Sequence, residues 1–414
     1  MMTQMNWIMQ DMNSFFASVE QFLRPELRGR PVGVVPLKSE STCLIAASYE
    51  AKRFGLRTGT KVYDARRLCP DVVLVRARPN IYVQVHHQLL ASVDQCAEVH
   101  HVYSIDEWTI RLRGQYQQPE RARDLAEAIR RQIRNDFGPW LTSSIGVAPT
   151  RLLAKIASNL KKPDAVTVLP IDEVAERLMQ VPLGDLPGIG RSMETRLANA
   201  GIHDFSQLWA IDRRRALQIW GSVSGASWWD GLHGIDNPEP ATQRRSLTHG
   251  RVLDPRFRNA PGAHCILVLL ACKLARRLRL TGYHARSLQL TLTGNSKPIF
   301  SSQIELPCVQ DTLTILHQLE KLWKRRPYDL RGLKKVDVTV GQLVAQTEVS
   351  GYLFEEFSQS QRLSHALDAI SDRWGPTSIY FANTHAYRDA LEDKIAFGRI
   401  PELTDKPKAY NTIS

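Results

Sequence analysis

Residues 10–20 read QDMNSFFASVE and residues 102–110 read VYSIDEWTI, and the fold turns on how these two stretches meet. Trp7 to Met9 predicts a short strand. Phe15, Phe16, Val19, Phe22 and Leu23 then recur at helical spacing behind a cap at Asn13. Asp11 therefore falls where a strand, a tight turn and a helix adjoin. Asp106 and Glu107 are consecutive, and consecutive strand residues point to opposite faces, so both reach one site only if the chain bends. A turn at Ser104 to Glu107 meets that need. A single Asp at a strand end is ordinarily a solvated residue. An acidic pair in an apolar strand region, with another acid ending the preceding parallel element, shifts the balance toward metal binding, because hard cations take carboxylate oxygens. Spacing alone leaves both readings open.

Outward from these stretches, the first half alternates strand and helix and predicts a mixed sheet with helices on it. Residues 24–78 read as a compact insertion, with apolar runs at Val32–Val35 and Leu44–Ala47 and a helix bearing Lys and Arg. A helix around Ile81 to Val99 follows, then a helix with Leu125, Ile129 and Ile133 on one face, a strand near Ser143 to Ala148, and a helix capped by Thr150. Beyond Pro170 come short helices punctuated by Gly and Pro, with Leu186-Pro187-Gly188-Ile189-Gly190 between two of them. A linker at Asn237–Gln243 leads to a strand-helix-strand-strand-helix-strand set. In its clearest strand, Ala285 to Thr293, Leu288, Leu290 and Leu292 alternate with polar residues.

The chain has 414 residues, 43% of them hydrophobic, which is enough for two to four domains. Its six cysteines lack C-x-x-C spacing and favour neither a zinc site nor a disulfide framework, as fits a reducing cytosol. The N-terminus lacks a basic-then-apolar leader pattern, and no stretch reaches the roughly 18 apolar residues of a membrane span, so a cytoplasmic protein without membrane association is expected. The net charge is +12. From Ala241 to Ala345 there are eighteen Lys or Arg against six Asp or Glu, an excess equal to that of the whole chain. So concentrated a positive field is the footprint of phosphate-backbone binding.

With AASYEAKRFGL at 46–56 and SIGVAPTRLLAKIASNLKKPDAV at 144–166, these stretches resemble Y-family translesion DNA polymerases, in order and at similar separations, over roughly the first 345 residues. LSHALDAISDRWGPTSIYFA at 363–382 resembles the C-terminal region of the bacterial branch linked to damage-induced mutagenesis. The resemblance implies an α/β multi-domain, right-hand polymerase. Its palm would be 1–23 and 79–169, small fingers 24–78, and a helical thumb with a helix-hairpin-helix 170–236. After the linker (237–243), a βαββαβ-like little finger would span 244–345 and bind DNA, followed by a tail (346–414) for clamp or partner contact. Primer-template DNA and a deoxynucleoside triphosphate are the implied partners, acted on by a monomer associated with the nucleoid.

The resemblance also implies that Asp11 and Asp106 bridge two Mg2+ ions, that Glu107 completes the primer-side ion, and that the Met12 carbonyl helps hold the triphosphate-side ion. Phosphoryl transfer asks mainly for positioning and charge stabilisation, so carboxylates and a few cations suffice. Phe16 matches the steric gate, a ring filling the space of a ribose 2′-hydroxyl; by itself it would read as a core aromatic. Tyr49, Lys52 and Lys162 match positions that contact the triphosphate. The chain departs from the family pattern at Asn13, where many relatives carry an acid, at Lys52, where Arg is usual, at Lys162-Pro163-Asp164-Ala165, and at Trp108. Asn13 is expected to cap the helix or shape the metal loop, and Trp108 to pack under the sheet.

In the hairpin, Gly188 and Gly190 let backbone N–H groups approach a phosphate at a helix N-terminus, with Arg191 and Arg196 following. A plain inter-helix turn is the bland alternative. Arg244, Arg245, Arg276, Arg279, Lys334 and Lys335 are expected to contact the duplex backbone without reading sequence. Gly351-Tyr352-Leu353-Phe354 resembles a sliding-clamp peptide with Ser350 in place of its Gln, and reads equally as a hydrophobic plug packing onto its own domain. The rival readings are a weak or inactive Y-family homologue acting as a DNA-binding accessory and a nucleotidyl cyclase, whose catalytic sheet is palm-like.

Overall fold

The computed structural model describes residues 4–36, 40, 42–238, 244–295, 297–349, 355–375, 378–382 and 384–385. The chain divides between residues 239 and 240 into two compact units.

The first unit is built on a five-stranded sheet in the order His101–Val102, Glu107–Arg111, Trp7–Met12, Ser143–Ala148, Val166–Val168. Only the last pair is parallel; the others are antiparallel. The acid expected to end a parallel neighbour therefore ends an antiparallel one. A strand-helix rhythm signals parallel strands when a single crossover joins them. Here the intervening stretch ends in the strand His101–Val102, and the bend at Ser104–Asp106 sends Glu107–Arg111 back against Trp7–Met12.

Trp7–Met12 is buried along its whole length, so both of its faces are covered, with Gln10 and Asp11 buried among apolar residues. Ile8 and Met12 pack into one core with residues of the helices Pro79–Asp94 and Pro119–Phe137, while Trp7 and Met9 face the helix Arg151–Leu160. The latter helix starts where expected, with Thr150 Oγ1 accepting the Leu153 N–H at 3.2 Å. It also lies unusually close to the sheet. A Cβ at Gly146 would stand 1.9 Å from the Ala154 carbonyl oxygen, so only glycine admits the helix backbone at that distance.

Residues 24–78 form a separate three-stranded sheet in the order Ala46–Ala47, Val32–Val35, Val73–Arg76. Helices from Ile171–Leu178 to Val223–Leu232 make up the rest of the unit. Their end is tied to the central strand by Asp236, which accepts the Trp7 Nε1–H at 2.8 Å and pairs with Arg111.

The second unit holds a four-stranded antiparallel sheet, ordered Pro298–Val309, Tyr283–Thr293, Lys335–Gly341, Ser246–Val252. With the helices Ala260–Leu280 and Thr312–Lys324, its chain order is the expected βαββαβ. Leu288, Leu290 and Leu292 are fully buried, as their alternation predicts. A further helix, Glu355–Trp374, packs beside it: Ser364 Oγ accepts the Thr312 N–H at 3.0 Å, and Asp368 binds Arg279 through two bonds of 2.6 and 2.9 Å. Among the described residues no helix is long and apolar enough to cross a membrane.

Candidate active site

Asp11 and Glu107 are direct cross-strand partners, so their side chains leave the sheet on one face. That face meets the helix Arg151–Leu160, and the close approach over Gly146 brings Lys155 between the two acids. Lys155 Nζ donates to Asp11 Oδ2 at 2.5 Å and to Glu107 Oε1 at 2.6 Å. Lys162 Nζ lies 2.7 Å from the other Asp11 oxygen. Asp106 stands in the bend, as the facing argument required. Its Oδ1 accepts the Ser104 hydroxyl, and its carbonyl accepts the Met12 N–H at 2.9 Å.

The electrostatics follow from burial against charge. Burial raises Asp11, but the Lys155 and Lys162 ammoniums outweigh it and hold the carboxyl below its ordinary range. Asp106 and Glu107 are held above theirs, first by burial and then by the negative charge of Asp11, against the opposing Ser104 and Lys155 bonds. Burial lowers Lys155, and its two carboxylate partners more than reverse that. The buried negative charge of Asp11 is thus compensated by two ammoniums.

The other expected residues gather near Asp11. Tyr49 donates its hydroxyl to Asn13 Oδ1 at 3.4 Å, and burial and the Asp11 charge push it up to about 12. Lys52 Nζ stands 4.2 Å from the Tyr49 ring centroid. Phe16 is buried and stacked on Tyr82 at 4.8 Å. Tyr82 in turn donates to Glu20 at 2.7 Å, and Arg78 grips both Glu20 oxygens. Asn13 does not cap the helix Phe15–Leu23. That place belongs to Ser14, in a left-handed conformation with no side-chain cap bond. Asn13 Oδ1 instead accepts from Ser144 at 2.9 Å, and Asn13 Nδ2 donates to Thr142, so its amide ties the loop to the neighbouring strand. Trp108 is fully buried and donates to Gln10 at 3.1 Å.

The residues fit a hard cation. Two carboxylates converge on one ammonium, a third lies close enough to raise Glu107, and every donor is oxygen. Among the described residues no three acidic, His or Cys side chains close on a single point; Lys155 lies between Asp11 and Glu107, and Asp106 is bonded to Ser104.

The hairpin is braced from behind. Gly188 has φ +88°, a region that favours glycine, and a Cβ there would stand 3.1 Å from Trp228 Nε1, whose hydrogen is donated to the Pro187 carbonyl at 2.9 Å. Gly190 and Arg191 are exposed, and Gly190 opens the helix Arg191–Asn199 with no side chain over its first turn.

Three family models cover most of this architecture. Residues 10–159 match the impB/mucB/samB family, 172–202 the helix-hairpin-helix motif of the IMS family, and 244–353 the C-terminal domain of the impB/mucB/samB family. DNA polymerase IV of Moorella thermoacetica is 32% identical over 383 residues, 90% of this chain and 94% of that one. DNA polymerase IV of Neisseria meningitidis serogroup C is 31% identical over 341 residues, 82% and 96% of the respective chains. The chain belongs to the Y-family of DNA polymerases. A solved Y-family DNA polymerase chimera, 21% identical, has the same fold, with a TM-score of 0.68 over 82% of this chain and 99% of its own.

Y-family polymerases use divalent metal ions, and Lys155 is the residue of this member that sequence reasoning missed. Its signal was a Lys set among the buried Leu153, Ala154, Ile156 and Ala157. Several of the basic residues expected to contact DNA have partners of their own. The Arg279 side chain is 4% exposed and committed to Asp368 and the Gln310 carbonyl, and Arg276 is paired with Asp372, so each guanidinium already has a carboxylate partner. Lys335 pairs with Asp337 at 2.7 Å. Arg245 and Lys334 are exposed, but they lie just beyond opposite ends of the paired strands Ser246–Val252 and Lys335–Gly341, about 26 Å apart at the usual rise per residue. Arg244 lies beside the Tyr283 ring, 5.9 Å from its centroid. Gly351 to Phe354 lie outside the described residues.

Proposed function

We propose that this chain is a template-directed, low-fidelity DNA polymerase that performs translesion synthesis with two magnesium ions held by Asp11, Asp106, Glu107 and the Met12 carbonyl. The observation that carries the reading is the convergence of Asp11 and Glu107 on one ammonium, with Asp106 alongside. When bound, the ions would lower the pKa of the primer 3′-hydroxyl and neutralise charge on the leaving pyrophosphate. The chain's own groups do the rest. Lys162 and Lys52 supply positive charge to the triphosphate, and Tyr49, kept protonated by its raised pKa, donates a neutral hydrogen bond. Phe16, held against Tyr82, blocks a 2′-hydroxyl.

In this reading the five-stranded sheet is the palm, residues 24–78 the fingers, and 170–236 the thumb, whose Gly188–Arg191 hairpin grips backbone phosphate. The sheet of the second unit is the little finger, contributing Arg244, Arg245, Lys334 and, once released from Asp337, Lys335. A sliding clamp remains a candidate partner through the tail. An inactive accessory would have no use for two carboxylates converging on one ammonium with a third alongside. The test is primer extension with deoxynucleotides and Mg2+ on an undamaged template and on one carrying an abasic site. Extension past the abasic site is expected, and failure to add any nucleotide to either primer would overturn the reading.

A further inference from the structure

We infer that His86 is a positioning residue for the catalytic bend: from the helix Pro79–Asp94 it fixes the Ile105–Asp106 peptide and through it the Asp106 carboxylate. His86 is fully buried, and its Nδ1 lies 2.7 Å from the Ile105 carbonyl oxygen. A carbonyl only accepts, so the ring carries its proton on Nδ1. Nε2 is left as a bare acceptor with no partner among the described residues. Burial pushes the ring's pKa down to about 4, which keeps it neutral at physiological pH.

The bond matters because of where it falls. The peptide between Ile105 and Asp106 is pinned at both ends, its oxygen by His86 and its N–H by Ser104 Oγ at 3.3 Å. The next carbonyl, that of Asp106, is held by the Met12 N–H. Of these three ties only the His86 bond comes from outside the bend and its neighbouring strand. It ties the bend to the helix Pro79–Asp94, where the other two ties stay within the sheet and the bend itself. The ring is itself steadied edge-on by Trp108 at 6.0 Å, whose indole is anchored through Gln10 to Ser143. A buried histidine with one unpartnered nitrogen is a poor core filler, since an aliphatic side chain would fill the volume without stranding a polar atom.

The inference rests on the proposed role of Asp106, and two variants separate it from simple packing. His86→Leu fills the space and removes the donor. His86→Asn places an amide N–H where Nδ1 stands and sacrifices volume. A positioning role predicts that His86→Leu lowers kcat for single-nucleotide addition roughly a hundredfold, the scale of a misplacement near 1 Å, while the nucleotide KM and DNA affinity hold. His86→Asn should restore most of the rate. A packing role predicts the reverse order, with Leu tolerated and Asn damaging, and that result would overturn the inference. Hydrogen-deuterium exchange of residues 101–108 in the free protein gives a readout independent of catalysis: exchange should quicken in His86→Leu and not in His86→Asn. If the wild type extends no primer, the proposed function fails, and exchange still decides whether His86 holds the bend. Unaltered exchange in His86→Leu would refute that hold.

Discussion

Replacing Lys155 with Met removes the ammonium and keeps most of the aliphatic stem. In the metal-free protein this strands Asp11 and Glu107, which now share one cation. Removing one partner of a buried ion pair costs about 3–5 kcal/mol. Lys155 is 19% exposed and Asp11 keeps Lys162, so the lower end of that range, about 3 kcal/mol, is the expected loss. For a unit of this size that lowers Tm by roughly 6–12 °C. A divalent ion would occupy the same negative cradle without first displacing an ammonium. Saturating Mg2+ or Mn2+ should therefore restore most of the lost stability, and Mn2+ affinity should rise by about tenfold, some 1.4 kcal/mol. Differential scanning fluorimetry with EDTA and with metal, together with calorimetric Mn2+ titration, measures both. Equal destabilisation with and without metal, at unchanged Mn2+ affinity, would show that Lys155 does not stand in a cation site.

Phe16→Ala should raise ribonucleotide incorporation relative to deoxynucleotide by about tenfold or more, measured as the ratio of kcat/KM values on one primed template. An unaltered ratio would place sugar selection elsewhere. Acid stability offers a separate check on His86. Its folded pKa of about 4 lies below the ordinary 6.5, so between those values the unfolded chain takes up a proton that the folded chain does not. Stability should fall as pH drops from 6.5 to 4, by about 3 kcal/mol more in the wild type than in His86→Asn, and denaturant titrations with parallel pH profiles would contradict this.

Local patterns were legible where one interaction decided them. Thr150 caps the helix it was expected to cap, the strand Ser143–Ala148 has its expected ends, and alternation placed Leu288, Leu290 and Leu292 in a core. The need for a bend before Glu107 followed from strand geometry alone. What depended on distant partners was not readable. The antiparallel pairing of Asp11 with Glu107 is set by a hairpin and not by the strand-helix rhythm. Of the two roles expected of Asn13, the cap fell to Ser14, and the amide instead holds the loop through Ser144 and Thr142, which reach it across 129 or more residues. Arg276 and Arg279 looked like phosphate ligands until Asp368 and Asp372, from a helix far along the chain, were seen to neutralise them. Lys155 and His86 had no signal beyond a polar residue on an apolar helix face, and that pattern is usually uninformative.

The activity itself turns on Asp106. In wild-type protein with Mg2+ and all four deoxynucleotides, a primer annealed to a template should be extended. Asp106→Ala should abolish that extension while binding the same DNA with near-unchanged affinity in an anisotropy titration. Extension at the wild-type rate by the variant would contradict the assignment of this carboxylate, and with it the account of how the site works.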